Sequence, residues 1–443
     1  MADVQPFCGL HYNLGQIGDL SSVICPPYDV ISAEEQRRYH DRSPYNVIRL
    51  EFGLEWPNDS SENNKYTRAA MTLDGWLRHS ILIREKRPAF YLVEHHFRHQ
   101  NTIRSRFSLM ARVRLEDLST GHIRPHEMTM RGPAIDRLRL LQACRANLSP
   151  IMGIFRHKGE EIRSLYGEVA KNSPGLSATD DRGVTFNVWA ITEESKLARL
   201  SDFFTDKTIY IADGHHRYET ALAYHRHVRS TRSPYTGREA FNFVMMALTD
   251  SADPNLIVFP THRLVRGLKR ERIAKLEQEL SAYFHVAQLL PPLATAVETL
   301  ESWLCVLSEK GEHRRTFGLY GLHARHLCLV EAREEQALGA MPEDWPDPVK
   351  HLDVSILHWL VLRRILGIDS REREESCLQY TRDGLEALSG VDSGAWQLAF
   401  LLNPAPVSSV LAVSDARARM PQKSTYFYPK TPTGLVINPL WEE

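Results

Sequence analysis

The apolar positions change period along the chain, and the period divides it into elements. Val23–Ser32, VICPPYDVIS, has two adjacent prolines that hold the backbone extended. Ser32 followed by Glu35 forms a capping-box pattern and predicts a helix over SAEEQRRYHDR. Ser43–Gly53 alternates and predicts a short strand. Trp56–Lys65 is polar and predicts a surface loop. Tyr66–Leu82 carries Ala70, Leu73 and Leu77 at helical spacing. Pro88–Phe97 and Arg104–Leu115 read as two strands of a hairpin joined by RHQNTI. Pro133 stands where a helix opens, Leu138, Leu141 and Ala146 build one face, and Ser149-Pro150 closes it.

From Val184 the rhythm becomes strand–helix–strand. Val184–Ile191 predicts a strand, Thr192 a cap for EESKLARLSDFF, and Thr208–Ala212 a second strand. RYETALAYHRHVRS is then a helix, and Phe241–Asp250 a buried strand. Further on, Arg270–Phe284 is amphipathic and His351–Ile368 is apolar nearly all round, as a buried helix would be. Gly394–Leu402 predicts a strand, SSVLAVSDARARM a capped helix, the charge run Asp369–Glu375 a solvated loop or helix end, and PQKSTYFYPKTPTGLVINPL a terminal hairpin. The class expected is α/β to α+β: a mixed sheet with helices packed on it, followed by a C-terminal α+β region. Three regions are expected: 1–160, 161–268 and 269–443.

Composition narrows the function. The 443 residues are 43% hydrophobic and 25% charged, ordinary for globular chains, and the length suits two or three domains. A formal net charge of −1 gives no general attraction for nucleic acid or an acidic membrane. The six cysteines form no CxxC pair and are expected to be reduced thiols in the core. MADVQPFCGLHY lacks the basic and apolar regions of a signal peptide, and the longest apolar stretch is interrupted by His358, Arg363 and Arg364. A cytoplasmic protein is expected. GxxxxGK[ST], GxGxxG, HExxH and GxSxG are all missing, which disfavours P-loop ATPases, Rossmann dehydrogenases, zincins and α/β-hydrolases.

The densest chemistry lies in IYIADGHHRYETAL, Ile209–Leu222. Gly214 permits a sharp turn, Asp213 can cap the following helix, and His215, His216 and Arg217 surround its N-terminus. The first N–H groups of that helix attract anions, and the turn follows the C-terminal end of a strand, where open α/β sheets bind ligands. A phosphate, a carboxylate or a metal would offset the clustered cations. The alternative is a capped turn with the histidines on backbone carbonyls and Arg217 paired with Glu219 or Asp213. RPHEMT offers His126 and Glu127 as an acid–base pair or as metal ligands, with Arg137 nearby for phosphate. In PPYD, Tyr28 and Asp29 suit a substrate hydroxyl or Mg²⁺, although Asp29 can equally bond its own turn. Lys423 and Ser424 in MPQKSTYFYPK, and Arg263 in PTHRLV, are further phosphate candidates. Asp29, Glu127 and Asp213 are the carboxylates available to a metal.

Taken together, VICPPYDVIS, SPYNVIRL, RPHEMT, DRLRLLQACRANLSPI, YIADGHHRYETAL, PTHRLV, MPQKSTYFYPK and GLVINPL resemble, in order and over nearly the whole chain, the bacterial and archaeal family called domain of unknown function 1015. Here the PHE motif is followed by the divergent MTMRGPAID. The DGHHR turn is also similar to one in the ParB–sulfiredoxin superfamily, which includes an enzyme that phosphorylates free serine. That resemblance implies nucleotide phosphates held by a histidine- and arginine-bearing turn, and the family one implies genes close to those of serine biosynthesis.

The leading expectation is a phosphoryl-transfer enzyme, kinase or phosphatase, on a small phosphorylated or hydroxylated metabolite, with serine or phosphoserine the best guess. His215, His216 and Arg217 would hold phosphate, Asp213 would orient substrate or Mg²⁺, and Glu127, with His126, would be the acid–base group. ATP or ADP and Mg²⁺ are the cofactors this allows. The alternatives are a non-catalytic nucleotide or metabolite sensor and a ParB-like nuclease or nucleotide hydrolase.

Overall fold

A computed structural model describes residues 2–128, 131–157, 159–231 and 234–441. The chain forms two compact units, one of Met1–Pro125, Thr129–Ile257 and Pro429–Glu443, the other of His126–Met128 and Val258–Tyr428. The fold is mixed α/β, as the alternating pattern predicts.

The first unit is built on a nine-stranded mixed sheet. From one edge the strands are Ile123–Pro125, Ile209–Asp213, Ile151–Phe155, Phe243–Asp250, Thr102–Arg114, Phe90–His99, Thr185–Ile191 and Leu176–Thr179, with Val4–Gln5 also paired to Thr102–Arg114. Phe243–Asp250 runs parallel to Ile151–Phe155 and antiparallel to Thr102–Arg114, and every one of its residues is buried. The predicted hairpin forms around Gln100 and Asn101, at φ 47° and 59°, with His99 opposite Thr102. A two-residue loop left-handed at both positions matches the twist of the strands it joins. Phe155, Leu200 and Phe204 are fully buried on one side of the sheet, and Phe204 alone contributes roughly 2 kcal/mol.

The second unit holds a six-stranded antiparallel sheet ordered Phe284–Leu290, His326–Ala332, Thr316–His323, Leu398–Leu401, His262–Val265 and Leu378–Thr381. Trp303 and Leu307 of the Ala296–Gly311 helix pack on it, and that helix opens on a capping box between Thr295 and Glu298. The apolar His351–Ile368 stretch is helical from Asp353 and becomes a π-helix over Leu357–Ile365.

Several local expectations are corrected. Ser43–Gly53 contains the short helix Ile48–Glu51, not a strand. Asn46 anchors to the Ser22 and Ile24 carbonyls and its side-chain oxygen accepts from the Ile48 N–H, so a buried polar side chain starts a helical turn where the apolar run alone suggested alternation. The helix expected to run to Pro150 spans Arg131–Cys144; Arg145 turns left-handed at φ 49° and Ala146–Asn147 is already a strand. The side chains of Arg131 and Pro133 lie outside the described set. Glu193, not Thr192, stands at the cap of Glu194–Phe204, and Pro406 precedes Val407–Asp415 without a side-chain cap. Arg371–Cys377 is a full helix. The terminal hairpin does not form: Tyr426–Tyr428 pairs with Ile257–Phe259, and Asn438–Pro439 pairs with Ala146–Asn147. The six cysteines are free thiols, four of them buried, and burial pushes the Cys144 thiol up to about 12. Among the described residues no helix is long and apolar enough to cross a membrane.

Candidate functional site

The DGHHR turn lies where its sequence predicts. Ile209–Asp213 is a strand, the Gly214 carbonyl accepts from the Tyr218 N–H, and the His215–Thr231 helix follows. Pairing of the strand with Ile151–Phe155 slips between Ile211 and Asp213, leaving Ala212 as the extra residue; such a bulge re-aims the side chains beside it. Gly214 has φ +90°, and a Cβ there would stand 2.9 Å from Arg217 Nε and 3.1 Å from Cζ. Only glycine accommodates both this backbone and the guanidinium lying across it. Gly214→Ala should therefore lower stability by about 1–2 kcal/mol and displace Arg217, measured as a drop in thermal midpoint.

Three segments supply ions to this corner. Arg217 Nη2 donates to Asp213 Oδ2 at 2.6 Å and its Nη1 to the Pro150 carbonyl at 2.5 Å, with the side chain only 11% exposed. Lys430 Nζ lies 2.7 Å from Asp29 Oδ2 and 2.7 Å from Asp213 Oδ1, so one ammonium ties two carboxylates from distant parts of the chain. Asp29 stands in the single 3₁₀ turn Tyr28–Val30 that follows the two prolines. Burial works against the charge of Arg217, but Asp213, then Asp29 and Glu51, outweigh it and raise its pKa.

Arg137 extends the cluster. Its guanidinium lies 4.0 Å from the centroid of the Tyr28 ring, donates to Asp136 Oδ2 at 2.5 Å and to the Glu51 carbonyl at 2.8 Å, and faces the Glu51 carboxylate at 3.6 Å. The Ser149 hydroxyl donates to Glu51 Oε1. Burial pushes the Tyr28 phenol up to about 12 although Arg137 pulls it down. Beside these groups Glu51, Arg137, Ser149, Arg217 and Thr220 line a cavity of about 50 Å³, room for one or two waters.

Asp136 carries a pH signature. Burial disfavours its charge, but Arg137, then Lys65 and Tyr66, hold its carboxyl down at about 2. A depressed carboxyl stabilises the fold above its unfolded value near 4, and that stability is lost as pH falls toward 2. Asp136→Asn is thus expected to cost about 2 kcal/mol at pH 7 and much less near pH 2, read from urea midpoints at the two pH values.

Of the residues singled out from sequence, Tyr28, Asp29, Arg137, Asp213, His215, His216 and Arg217 all belong to the first unit; His215 is buried and His216 half-buried. His126, Glu127, Arg263, Lys423 and Ser424 belong to the second unit and form their own group. There the His126 ring is fully buried, with Nε2 2.9 Å from Thr425 Oγ1. Glu127 Oε1 accepts from the Lys423 N–H at 3.0 Å, and Arg263 donates to the Lys423 carbonyl at 3.1 Å. The Ser424 hydroxyl donates to the Pro421 carbonyl.

Sequence reading did not find Lys430, Glu51, Ser149 or Asp136. Lys430 sits seven residues beyond Lys423 in the same quoted stretch, and no local pattern separates the two; burial does, since the Lys430 side chain is 8% exposed and Lys423 is exposed. For Mg²⁺ the corner offers Asp29 and Asp213, hard oxygen donors suited to that ion. Among the described residues no group of three or more His, Cys, Asp or Glu is arranged to hold a metal. Two carboxylates could hold Mg²⁺ with waters or phosphate oxygens supplying its other ligands.

A mixed α/β protein with an ion-paired strand–turn–helix corner is the class so defined. A profile of the family described as "Protein of unknown function (DUF1015)" matches residues 4–355, and the chain belongs to that family. No curated protein matches. Similar solved structures include a conserved hypothetical protein from Pyrococcus furiosus, 13% identical, covering 75% of this chain and 97% of the other, with a TM-score of 0.35. A free serine kinase in complex with AMP is 11% identical, covering 74% and 92%, at 0.34. SbnI with a C-terminal truncation, from Staphylococcus aureus, is 10% identical, covering 73% and 85%, at 0.35. At such scores these likenesses carry no argument about chemistry.

Proposed function

We propose that the first unit binds the phosphate of a small metabolite or nucleotide at the DGHHR corner and transfers a phosphoryl group there. The observation that supports this most is the double ion pair of Lys430 with Asp29 and Asp213, beside Arg217 at the start of the His215–Thr231 helix. These pairs are exchangeable. A phosphate arriving at the helix N-terminus competes with Asp213 for Arg217 and with both carboxylates for Lys430. Asp29 and Asp213, freed of Lys430, would then be the residues to hold a divalent cation. Bound in this way, Mg²⁺ would neutralise charge on the transferring group. Arg217 and Lys430 would hold the phosphate oxygens, His215 and His216 would contribute donors at the turn, and Asp29 or Asp213 would orient the attacking hydroxyl or water.

Serine with ATP, ADP or pyrophosphate, and phosphoserine alone, are the first substrates to test, with and without Mg²⁺. Phosphorus NMR following phosphoserine formation or phosphate release decides between kinase and phosphatase. Nucleotide binding with no turnover of any pair would leave the sensor reading in place of the enzyme. One observation favours that second reading: Asp29, Asp136 and Asp213 are all engaged by cations, so a base is released only after the ions exchange.

A further inference from the structure

The second unit contains a cavity of about 200 Å³, roughly four times the volume of the one at the DGHHR corner. Arg263 forms part of its wall and is 2% exposed. A buried guanidinium is costly unless paired with an anion. Among the described residues Arg263 has no carboxylate in contact: its donors go to the Thr261 and Lys423 carbonyls, and its guanidinium lies 5.4 Å from the Tyr380 ring centroid. The rest of the wall suits a polar occupant. Arg314 and Arg315 line it, although Glu331 and Glu334 already pair with them, and Asn403, Ser409 and Ser424 add neutral polar groups.

We infer that this cavity is a second ligand site, which takes a small organic or inorganic anion whose carboxylate or phosphate oxygens rest against Arg263. The cavity has room for a small metabolite anion. Burial holds the Arg263 guanidinium down at about 10, and Tyr380 and the Glu127 carboxylate offset that only in part. Asp353, on the same wall, is pushed up to about 7 by burial, so near neutral pH it opposes an incoming anion less than an ordinary carboxylate does. The inference stands apart from the phosphoryl-transfer reading, because every residue it uses belongs to the second unit.

Isothermal titration of the full chain with inorganic phosphate and with succinate, against chloride at matched ionic strength, tests it. Saturable binding of one probe with a Kd below about 1 mM is expected, and whichever binds tighter identifies the source as phosphate or carboxylate. Ser409→Phe fills the cavity from the Val407–Asp415 helix and leaves Arg263 in place; it should weaken binding at least tenfold without altering the ligand-free melting midpoint. Arg263→Gln should also weaken it and Arg263→Lys should recover part of the affinity, whereas Arg217→Met should leave succinate binding, and the part of phosphate binding that Ser409→Phe removes, unchanged. Absence of saturable binding by both probes, or equal affinity in the wild type and Ser409→Phe, overturns the inference. So does loss of binding in Arg217→Met with retention in Ser409→Phe, which would assign the anion to the DGHHR corner.

Discussion

Replacing Arg217 by Met is expected to lower the rate of phosphoryl transfer by between about a hundred- and a thousand-fold, the usual cost of removing one preorganised donor from a developing anion. Two independent contacts fix this side chain, the Asp213 carboxylate and the Pro150 carbonyl, so it cannot drift from the helix start. Arg217→Lys is the informative companion. It keeps the charge, but a single ammonium cannot reproduce a planar fork that spans Asp213 and Pro150. It should therefore fold like the wild type, by circular dichroism, yet recover little of the turnover. Wild-type turnover in Arg217→Met, with whichever substrate pair proves active, would remove the corner from the chemistry.

Lys430→Met is expected to cost about 3 kcal/mol of stability. The ammonium is 8% exposed and the two carboxylates 25% and 21%, so water does little to screen what is left behind. Without it, Asp29 and Asp213 confront each other, with Arg217 still paired to Asp213. The effect is separable from simple loss of packing. Adding Asp29→Asn to Lys430→Met removes one of the two repelling charges and should restore part of the loss, a coupling that a double-mutant cycle measures. Equal urea midpoints for wild type and Lys430→Met would show that the bridge carries no energy.

These two predictions rest on different kinds of information. Arg217 is legible in the sequence because the turn that carries it is local, although its Pro150 partner is 67 residues away. The strand, the glycine at φ +90° and the helix that opens on it occupy one short stretch, and side chains near a helix start meet over a single turn. For the same reason the Ser32–Glu35 capping box and the hairpin joined by RHQNTI are legible, while the tight turn at Gln100 and Asn101 is seen only in the structure. The apolar pattern of Ser43–Gly53 points to a strand, because the helical turn that forms there depends on Asn46 reaching the Ser22 and Ile24 carbonyls, partners more than twenty residues away.

By itself, then, the sequence determined the mixed α/β class, most of the strands and helices, and the cationic turn at the start of the His215–Thr231 helix. Each follows from neighbours a few residues apart, through capping, backbone freedom and apolar period. Only the tertiary structure decided that the last segment departs from hairpin form, that Lys430 meets Asp29 and Asp213, and that Glu127 and Arg263 share Lys423 as a partner. Lys430 and Asp29 are 401 residues apart, and a contact over that distance leaves no periodic trace. It exists because the sheet and its packed core bring the two segments to one place, and burial then makes the pairing of their charges obligatory.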